Sequence, residues 1–360
     1  MLRRMLLLKF LLVSLQLACG AQACAAPQNE IRIGVITDLS GKAAYLGQKV
    51  RLGAELAQEE LRTSGQKIKI IFGDSAFNTT RAVSEAQKMF VLDKVDALFT
   101  NFTPIARAVA PIAANAKKIL IYTAAAVSPV KASEAIFKSY LDYTQGCEVI
   151  TRRWKAQGLT KVAALLAQSE YGELCLAGAK KSYPDIYSLS YMQGDPVKTE
   201  VLALKAQKVE AVLNPTYEGD LINMIRSLDE VRFAPQLGAE DTALTDQVTQ
   251  QYLANKQGVL SFGMPALTPT FINKIRSGAS SADLTGYDHA GMAYLHIQQL
   301  FSAISACPRD DLSCQVRELQ SSPANPDFGF LRWSDARIAE YRWSLHEWNR
   351  GRLHEITSLD

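Results

Sequence analysis

The side chains best suited to covalent chemistry or metal binding are few. Beyond residue 25 the chain has four cysteines, and the whole sequence has four histidines. The cysteines show neither CxxC nor zinc-ligand spacing, and the histidines form no HExxH motif. A GxSxG nucleophile motif is also lacking. The sequence therefore predicts no metal site, no cofactor and no enzyme activity.

Phosphate-binding loops and nucleic-acid contacts are not predicted either. No glycine-rich dinucleotide motif follows the first predicted strand, and residues 41–43 (Gly-Lys-Ala) lack the spacing of a P-loop. The chain has 39 basic and 36 acidic side chains, and outside the first 25 residues the two kinds balance. Proteins bind the phosphates of nucleic acids with an excess of positive charge, which this chain lacks beyond residue 25. We therefore expect no nucleic-acid partner.

The first 25 residues have the pattern of a secretory signal peptide. Arg3 and Arg4 precede an apolar stretch at 6–17, and small residues follow it. The stretch is shorter than the ~20 apolar residues that a membrane span needs. We therefore predict export to the periplasm. A lipid anchor on Cys19 or Cys24 and a buried N-terminal helix are the alternatives.

The remaining cysteines are candidates for disulfides, since an exported protein meets oxidising conditions. Cys307 and Cys314 flank a polar loop and are expected to close a small ring. Cys147 and Cys175 lie near the starts of two successive predicted helices. Helices on one face of a parallel sheet run side by side, which places these two cysteines at similar height. Two buried free thiols are the alternative for this pair.

Strand and helix patterns alternate along the chain, which is typical of parallel sheets covered by helices. Thr103 is the expected N-cap of one of these helices, with Pro104 at its first position. A hairpin with a turn at Gly351 is expected near the C-terminus. The predicted strands are 31–36, 67–72, 95–99, 119–122, 161–166, 211–214, 236–238 and 259–262, and the helices are 50–61, 80–92, 104–116, 145–157, 172–181, 220–228 and 288–304.

Two such series predict an α/β protein with two Rossmann-like lobes, joined by a hinge and separated by a ligand cleft. Lobe I is predicted to comprise 28–143 and 268–335, and lobe II 144–267 and 336–360. Ligands of open α/β sheets bind beyond the carboxyl ends of the strands. We therefore expect the ligand between the lobes, which close on it by a hinge motion.

Short motifs across the mature chain resemble those of one family. They are 31–41 (IRIGVITDLSG), 44–47 (AYLG), 53–57 (GAELA), 73–74 (GD), 108–113 (AVAPIA), 123–129 (TAAAVSP), 170–172 (EYG), 238–241 (GAED) and 286–290 (GYDHA). Their order is similar to that of type I periplasmic solute-binding proteins of ABC importers, in particular those that bind leucine, isoleucine and valine. The resemblance implies a small-molecule ligand, a membrane permease as partner and a monomeric binding protein.

The resemblance also implies which residues hold the ligand's charged groups. Thr103, at a helix start that favours an anion, would hold a ligand carboxylate. Ala125 would offer a backbone carbonyl to an ammonium, and Val127 replaces the hydroxyl residue that the family uses for the carboxylate. Glu240 would pair with the ammonium. A plain helix cap at Thr103 and a surface acid at Glu240 are the alternatives.

The walls of the pocket follow from the same resemblance. Tyr171 and Tyr217 would supply aromatic walls, since tyrosine combines apolar area with a polar tip. Tyr45 and Leu46 would line the lobe I side, with packing at a helix start as their alternative role.

The predicted function is therefore capture of a small organic solute, an amino acid or a related carboxylate or amide. A module of the same fold that signals to a membrane receptor or kinase is the alternative. A hydrolase would need a nucleophile and base that the sequence does not offer.

Overall fold

A computed structural model describes residues 30–41, 43–264, 267–276, 286–342 and 344–356. The predicted signal peptide, with Cys19 and Cys24, lies outside the described residues. Among the residues described, no helix combines the length and the apolar character needed to cross a membrane.

The first sheet is built from residues 31–138 and is entirely parallel. Its order is β2-β1-β3-β4-β5. The strands are β1 (Ile31–Thr37), β2 (Ile68–Asp74), β3 (Ala97–Asn101), β4 (Ile119–Thr123) and β5 (Ile136–Lys138), and the helices between them are α1 (Ala44–Thr63), α2 (Thr79–Val91) and α3 (Thr103–Asn115). Asn101 pairs with Thr123 in register, so β3 and β4 end at the same edge.

The second sheet has the order β14-β13-β10-β9-β8-β6-β7. Strands β6 to β10 are parallel, while β13 is antiparallel to both its neighbours. The strands are β6 (Val162–Ala167), β7 (Tyr187–Tyr191), β8 (Ala211–Leu213), β9 (Gln236–Glu240), β10 (Val259–Gly263), β13 (Ser344–Asn349) and β14 (Arg352–Ile356), and the helices are α4 (Tyr143–Ala156), α5 (Glu170–Ser182), α6 (Lys198–Ala206) and α7 (Glu218–Glu230).

Three later helices and a small sheet complete the described chain: α8 (Pro269–Arg276), α9 (Tyr287–Ser305), α10 (Leu312–Gln320) and the pair β11 (Phe330–Trp333) and β12 (Ala339–Tyr341). Helix α9 packs closely against α1. The Ala290 carbonyl oxygen lies so close to Gly53 that a Cβ atom at this position would be only 1.9 Å from it, so a residue with a side chain would not fit. A late helix thus covers the first sheet. The predicted lobe boundaries stay a prediction.

The two-lobed α/β class is confirmed, with small differences in the elements. Most predicted elements match observed ones within a few residues, but α1 begins six residues before its predicted start, and β5, β7, β11, α6, α8 and α10 were not predicted. The predicted hairpin arm at 340–348 is divided, since β12 pairs with β11 and only β13 pairs with β14. The turn at Arg350 and Gly351 has positive φ at both residues, as a tight two-residue hairpin requires.

Both expected disulfides are present. Cys147 on α4 and Cys175 on α5 have Cα atoms 5.2 Å apart, which joins the first two helices of the second sheet. Cys307 and Cys314 join the end of α9 to α10, with Cα atoms 5.9 Å apart. The four cysteines are therefore structural in this fold.

A buried polar network lies where the chain leaves the first sheet. The Ser139 hydroxyl lies 2.5 Å from both His296 Nε2 and the Tyr341 hydroxyl. His296 Nδ1 lies 2.8 Å from Gln299 Oε1, an acceptor, so Nδ1 carries the proton and Nε2 accepts from Ser139. Burial lowers the pKa of His296 to about 4. The network therefore holds a neutral imidazole at this crossing.

Candidate ligand-binding site

The carboxyl ends of both sheets contribute to one small cavity, here termed the central cavity. Its volume is about 20 Å³, roughly the space of one water molecule. It is lined by Leu46, Phe102, Thr103, Thr123, Ala124, Ala125, Tyr140, Tyr143, Tyr171, Tyr217, Thr242 and His289. A solute larger than water can enter only if the two sides separate. The structure is thus a closed form.

Five of the eight ligand residues implied by the resemblance line this cavity: Leu46, Thr103, Ala125, Tyr171 and Tyr217. Tyr45 lines a neighbouring groove of about 290 Å³, together with Tyr217 and Glu218. Val127 and Glu240 are not among the residues that line the central cavity. Each is bonded to other residues of the cleft, as described next.

Thr103 is not the N-cap that the sequence suggested. The residue before α3 is Phe102, with φ of 67°, and Thr103 is already helical. Its hydroxyl instead accepts a hydrogen bond of 3.4 Å from the backbone N–H of Ala126. Because Phe102 takes a left-handed conformation, the chain turns sharply into α3 and places Thr103 beside the loop after β4.

Val127 gives its backbone N–H to a carboxylate of the protein itself. Glu170, the first residue of α5, accepts hydrogen bonds from Val127 N (3.1 Å) and Ser128 N (3.2 Å). The Ser128 hydroxyl donates to the other carboxylate oxygen at 2.8 Å. Arg107 lies 3.9 Å away and is largely exposed. Glu170, at the start of a helix that packs on the second sheet, is thus bonded to the loop that follows β4 of the first sheet.

Glu240 ends β9 and is buried, with 2% of its surface exposed. The Tyr140 hydroxyl donates to Oε1 at 2.9 Å, and the Thr242 hydroxyl donates to Oε2. Tyr140 and Thr242 both line the central cavity, so Glu240 lies directly behind its wall. Burial raises the pKa of Glu240 to about 7, against these hydrogen bonds. A cation would stabilise the ionised form.

A continuous series of aromatic rings surrounds the central cavity. Centroid distances are 6.3 Å from Tyr140 to Tyr143, 5.8 Å from Tyr143 to Tyr171 and 6.1 Å from Tyr171 to Tyr217. Phe102 follows at 6.4 Å from Tyr217. The sequence did not predict Tyr140, Tyr143 and Phe102 as residues of the site. The local sequence indicates only that Asp142, between the two tyrosines, is the N-cap of the first helix of the second sheet. It does not indicate that the tyrosine rings reach the cavity.

Two buried hydroxyls of the cavity wall have no hydrogen-bond partner among the described residues: Thr123 Oγ1 and the Tyr171 hydroxyl. The two residues are 2% and 7% exposed, and both line the cavity. A buried hydroxyl without a partner is costly. These groups are therefore available to a bound molecule.

His289 is the one ionisable cation in the lining of the central cavity, counted over the described residues. Its Nδ1 lies 3.1 Å from Asp288 Oδ2. Burial lowers the pKa of His289, but the Asp288 carboxylate and, more weakly, Glu240 raise it above its usual value on balance. Two carboxylates thus face one imidazole, which leaves this part of the cleft negative when Glu240 is ionised. Within the described chain, no group of side chains could hold a metal ion.

Known proteins resemble this chain over most of its length. The family model for periplasmic binding proteins matches residues 30–306. An amino acid binding protein of Pseudomonas aeruginosa is 23% identical, and the match covers 91% of this chain and 92% of the relative. A Leu/Ile/Val-binding protein homolog of Brucella abortus is 24% identical, and here the match covers 62% of this chain and 61% of the relative.

Solved structures show the same fold. A leucine binding protein of Thermotoga maritima superimposes with a TM-score of 0.79 at 16% identity, covering 91% of this chain and 98% of the other. A solute binding protein of an ABC transporter from R. palustris, in complex with 4-hydroxybenzoate, gives 0.80 at 18% identity, covering 91% and 96%. A branched-chain amino acid binding protein of Streptococcus pneumoniae with isoleucine gives 0.75 at 17% identity, covering 91% and 99%.

The family match covers well over half of the chain, and the fold has the two parallel-rich sheets of the type I members. Such proteins bind solutes and do not transform them. The chain belongs to the periplasmic binding protein family.

Proposed function

We propose that this protein is the substrate-binding component of an ABC importer, working in the periplasm on a small organic solute. The single observation that supports this most is the central cavity, which receives its lining from the carboxyl ends of both sheets. Such a cavity opens and closes as the two predicted lobes move. Binding of the solute stabilises the closed form, which a membrane permease then recognises.

The site residues of this proposal divide by task. Thr103, Ala125 and Leu46 hold the solute from the side of the first sheet, and Tyr171 and Tyr217 from the side of the second. Glu240, behind Tyr140 and Thr242, supplies negative charge for a cationic group. Tyr45 lines the neighbouring groove, and Val127 donates its backbone N–H to Glu170 in the contact between the two sides of the cleft.

The names of the relatives support an amino acid or a related compound as the class of solute. Relatives of this fold bind isoleucine in one case and 4-hydroxybenzoate in another. Of these two chemistries, the cleft favours the one with an ammonium group. The buried Glu240 carboxylate accepts hydrogen bonds from the neutral hydroxyls of Tyr140 and Thr242, and among the described residues no lysine or arginine pairs with it.

A thermal-shift screen over amino acids, amines, amides and aromatic acids tests the proposal. A solute at ~100 times its Kd should add ~2.7 kcal/mol to the free energy of unfolding. Binding without turnover supports the proposal, and a panel in which no solute raises Tm contradicts it. A binding experiment with the solute-loaded protein distinguishes this proposal from the alternative, a sensing module. Retention by the purified permease supports the importer, and retention by a receptor domain supports the sensing module.

A further inference from the structure

The charges of the cleft, taken together, define the solute more narrowly. We infer that the central cavity takes a small organic monocation, an amine without a carboxylate, because the Glu170 carboxylate already occupies the backbone donors of Val127 and Ser128 in the loop after β4. This inference rests on the proposed function and restricts its solute class. It depends on four observations: the closing contact of Glu170, the acidic surroundings, the aromatic rings and the free hydroxyls.

The closing contact is the first observation. Glu170 holds the consecutive N–H groups of Val127 and Ser128, and Thr103 holds that of Ala126. The three consecutive amides of this loop are therefore used within the protein. Thr103 and Glu170 bind neighbouring backbone amides of this loop. A solute carboxylate at Thr103 would therefore lie near the Glu170 carboxylate, and the two negative charges would repel each other.

The charge of the surrounding side chains is the second observation. Among the described residues, neither the central cavity nor the groove beside it is lined by lysine or arginine. Three elements place carboxylates beside the cavity or the groove: β9 with Glu240 at its end, α9 with Asp288, and α7 with Glu218 and Asp220. His289 offsets only part of this charge. An anionic solute has no counter-charge here, whereas a cation has several.

Lys138 does not change this balance at the cavity wall. Its Nζ donates to the carbonyl oxygens of Tyr140 (2.8 Å) and Leu141 (3.3 Å), within the crossing between the sheets. It is buried and does not line the cavity. Its ammonium group is thus held by backbone carbonyls and is not presented to a solute.

The aromatic rings are the third observation. Tyr140, Tyr143, Tyr171, Tyr217 and Phe102 surround the cavity with neighbouring centroids 5.8–6.4 Å apart. The faces of such rings attract ammonium groups, most strongly where water is excluded. Rings on several sides also suit an apolar chain attached to the ammonium.

The free hydroxyls of Thr123 and Tyr171 are the fourth observation, and they point to a ligand independently of the charges. Both are more than nine-tenths buried, line the cavity and have no partner among the described residues. An ammonium has three N–H donors, and a hydroxyl oxygen accepts from them. The cavity thus offers acceptors and a nearby carboxylate to a cationic group.

Matched sets of compounds test the inference on the whole chain. Isoamylamine, leucine and isocaproate share one branched alkyl chain and differ in the charged groups attached to it. Phenethylamine, phenylalanine and phenylpropanoate form a second set with an aromatic ring. Calorimetric titration should show at least one of the amines binding about tenfold or more tighter than its amino acid, a difference of about 1.4 kcal/mol. The acids should not bind.

Substitution of Glu170 tests the reason for this preference. In Glu170→Ala and Glu170→Gln, the ratio of amine to amino-acid affinity should fall by about tenfold, since the internal negative charge is gone. The ratio is the readout because a weaker closed form lowers both affinities alike. Glu173→Gln, an exposed acid on the same helix turn, should keep the wild-type ratio.

The outcomes separate the two proposals. If leucine or phenylalanine binds more tightly than its amine, or if neither amine binds, the inference is wrong while a positive solute screen keeps the proposed function. An unchanged ratio in both Glu170 variants also overturns it. If no solute of any class binds, the proposed function fails as well.

Discussion

The Glu170 carboxylate accepts a hydrogen bond of 3.1 Å from the backbone N–H of Val127, across the cleft between the two sheets. Glu170 begins α5 beside the second sheet, and Val127 lies in the loop after β4 of the first. Together with the two bonds from Ser128, this contact holds the closed form from within the protein. Hydrogen bonds to charged groups contribute about 1.5–3 kcal/mol each.

Removing this contact should open the ligand-free protein. In Glu170→Ala, the equilibrium between open and closed forms shifts toward the open one, because no other group replaces the carboxylate. Small-angle X-ray scattering should report a larger radius of gyration than for wild type. Glu173→Ala serves as the control on the same helix. A radius unchanged by Glu170→Ala would show that this contact does not hold the two sides together.

The two disulfides should contribute unequally to stability. The Cys147–Cys175 bond closes a separation of 28 residues and the Cys307–Cys314 bond one of 7. By loop entropy, losing them costs about 3.5 and about 2.5 kcal/mol respectively. Paired serine variants, unfolded in urea, give both values. A larger loss for the Cys307–Cys314 variant would contradict the ranking.

His296 should make the protein less stable in mild acid. Burial holds the pKa of its folded form at about 4, below the unfolded value of about 6.5. Between these values the unfolded chain binds the proton and the folded one does not, so stability falls as the pH drops from about 6.5 to 4. The groups around it are uncharged: Ser139, Gln299, Tyr341, Phe99, Phe330 and Trp333.

The matched measurement is Tm at pH 7 and pH 5 for wild type and His296→Gln. Wild type should lose more Tm on acidification than the variant, although the variant starts from a lower Tm because its network is altered. An equal loss in both proteins would remove His296 as a source of acid sensitivity.

Tyr217 should bind a cationic solute through its ring. Tyr217→Leu removes the ring face and should weaken binding of the preferred amine by about fivefold to thirtyfold, the range for ammonium over a desolvated aromatic ring. Tyr217→Phe keeps the ring and should bind nearly as wild type does. Titration calorimetry compares the three proteins. Equal loss in both variants would assign the effect to the hydroxyl instead.

How much of this was predictable differs between fold and site. The fold followed from apolar periodicity, because buried strands such as β3 and β4 carry apolar side chains on both faces. Positions taken from motif resemblance, such as Leu46 and Ala125, line the cavity. Periodicity does not fix the last residue of an element, which is why Thr103 was placed one residue outside its helix.

Contacts across the cleft could not be predicted from the sequence. Glu170 and Val127 are 43 residues apart, and no local pattern indicates that one closes onto the other. Tyr140 and Tyr143 were missed for a related reason, since their rings join the site only because the chain crosses between the sheets there. Residues of this kind depend on tertiary packing, whereas strands and helices depend largely on neighbours in sequence.

Titration of Glu240 determines how the affinity for a cation depends on pH. With the pKa of Glu240 raised to about 7 by burial, its ionised fraction rises about tenfold between pH 6 and pH 8. Among the described residues, the ionisable groups that face Glu240 are Asp241, Asp288, His289, Tyr45, Tyr140, Tyr143 and Tyr217.

The most direct test is therefore the affinity of isoamylamine and phenethylamine at pH 6 and pH 8, measured by titration calorimetry for wild type and Glu240→Gln. The amine that binds should bind wild type about tenfold more tightly at pH 8, and proton release should accompany binding at pH 7. In Glu240→Gln the affinity should be lower at pH 8 and nearly independent of pH. Equal affinities of wild type at both pH values, or tighter binding at pH 6, would contradict a cation held against Glu240.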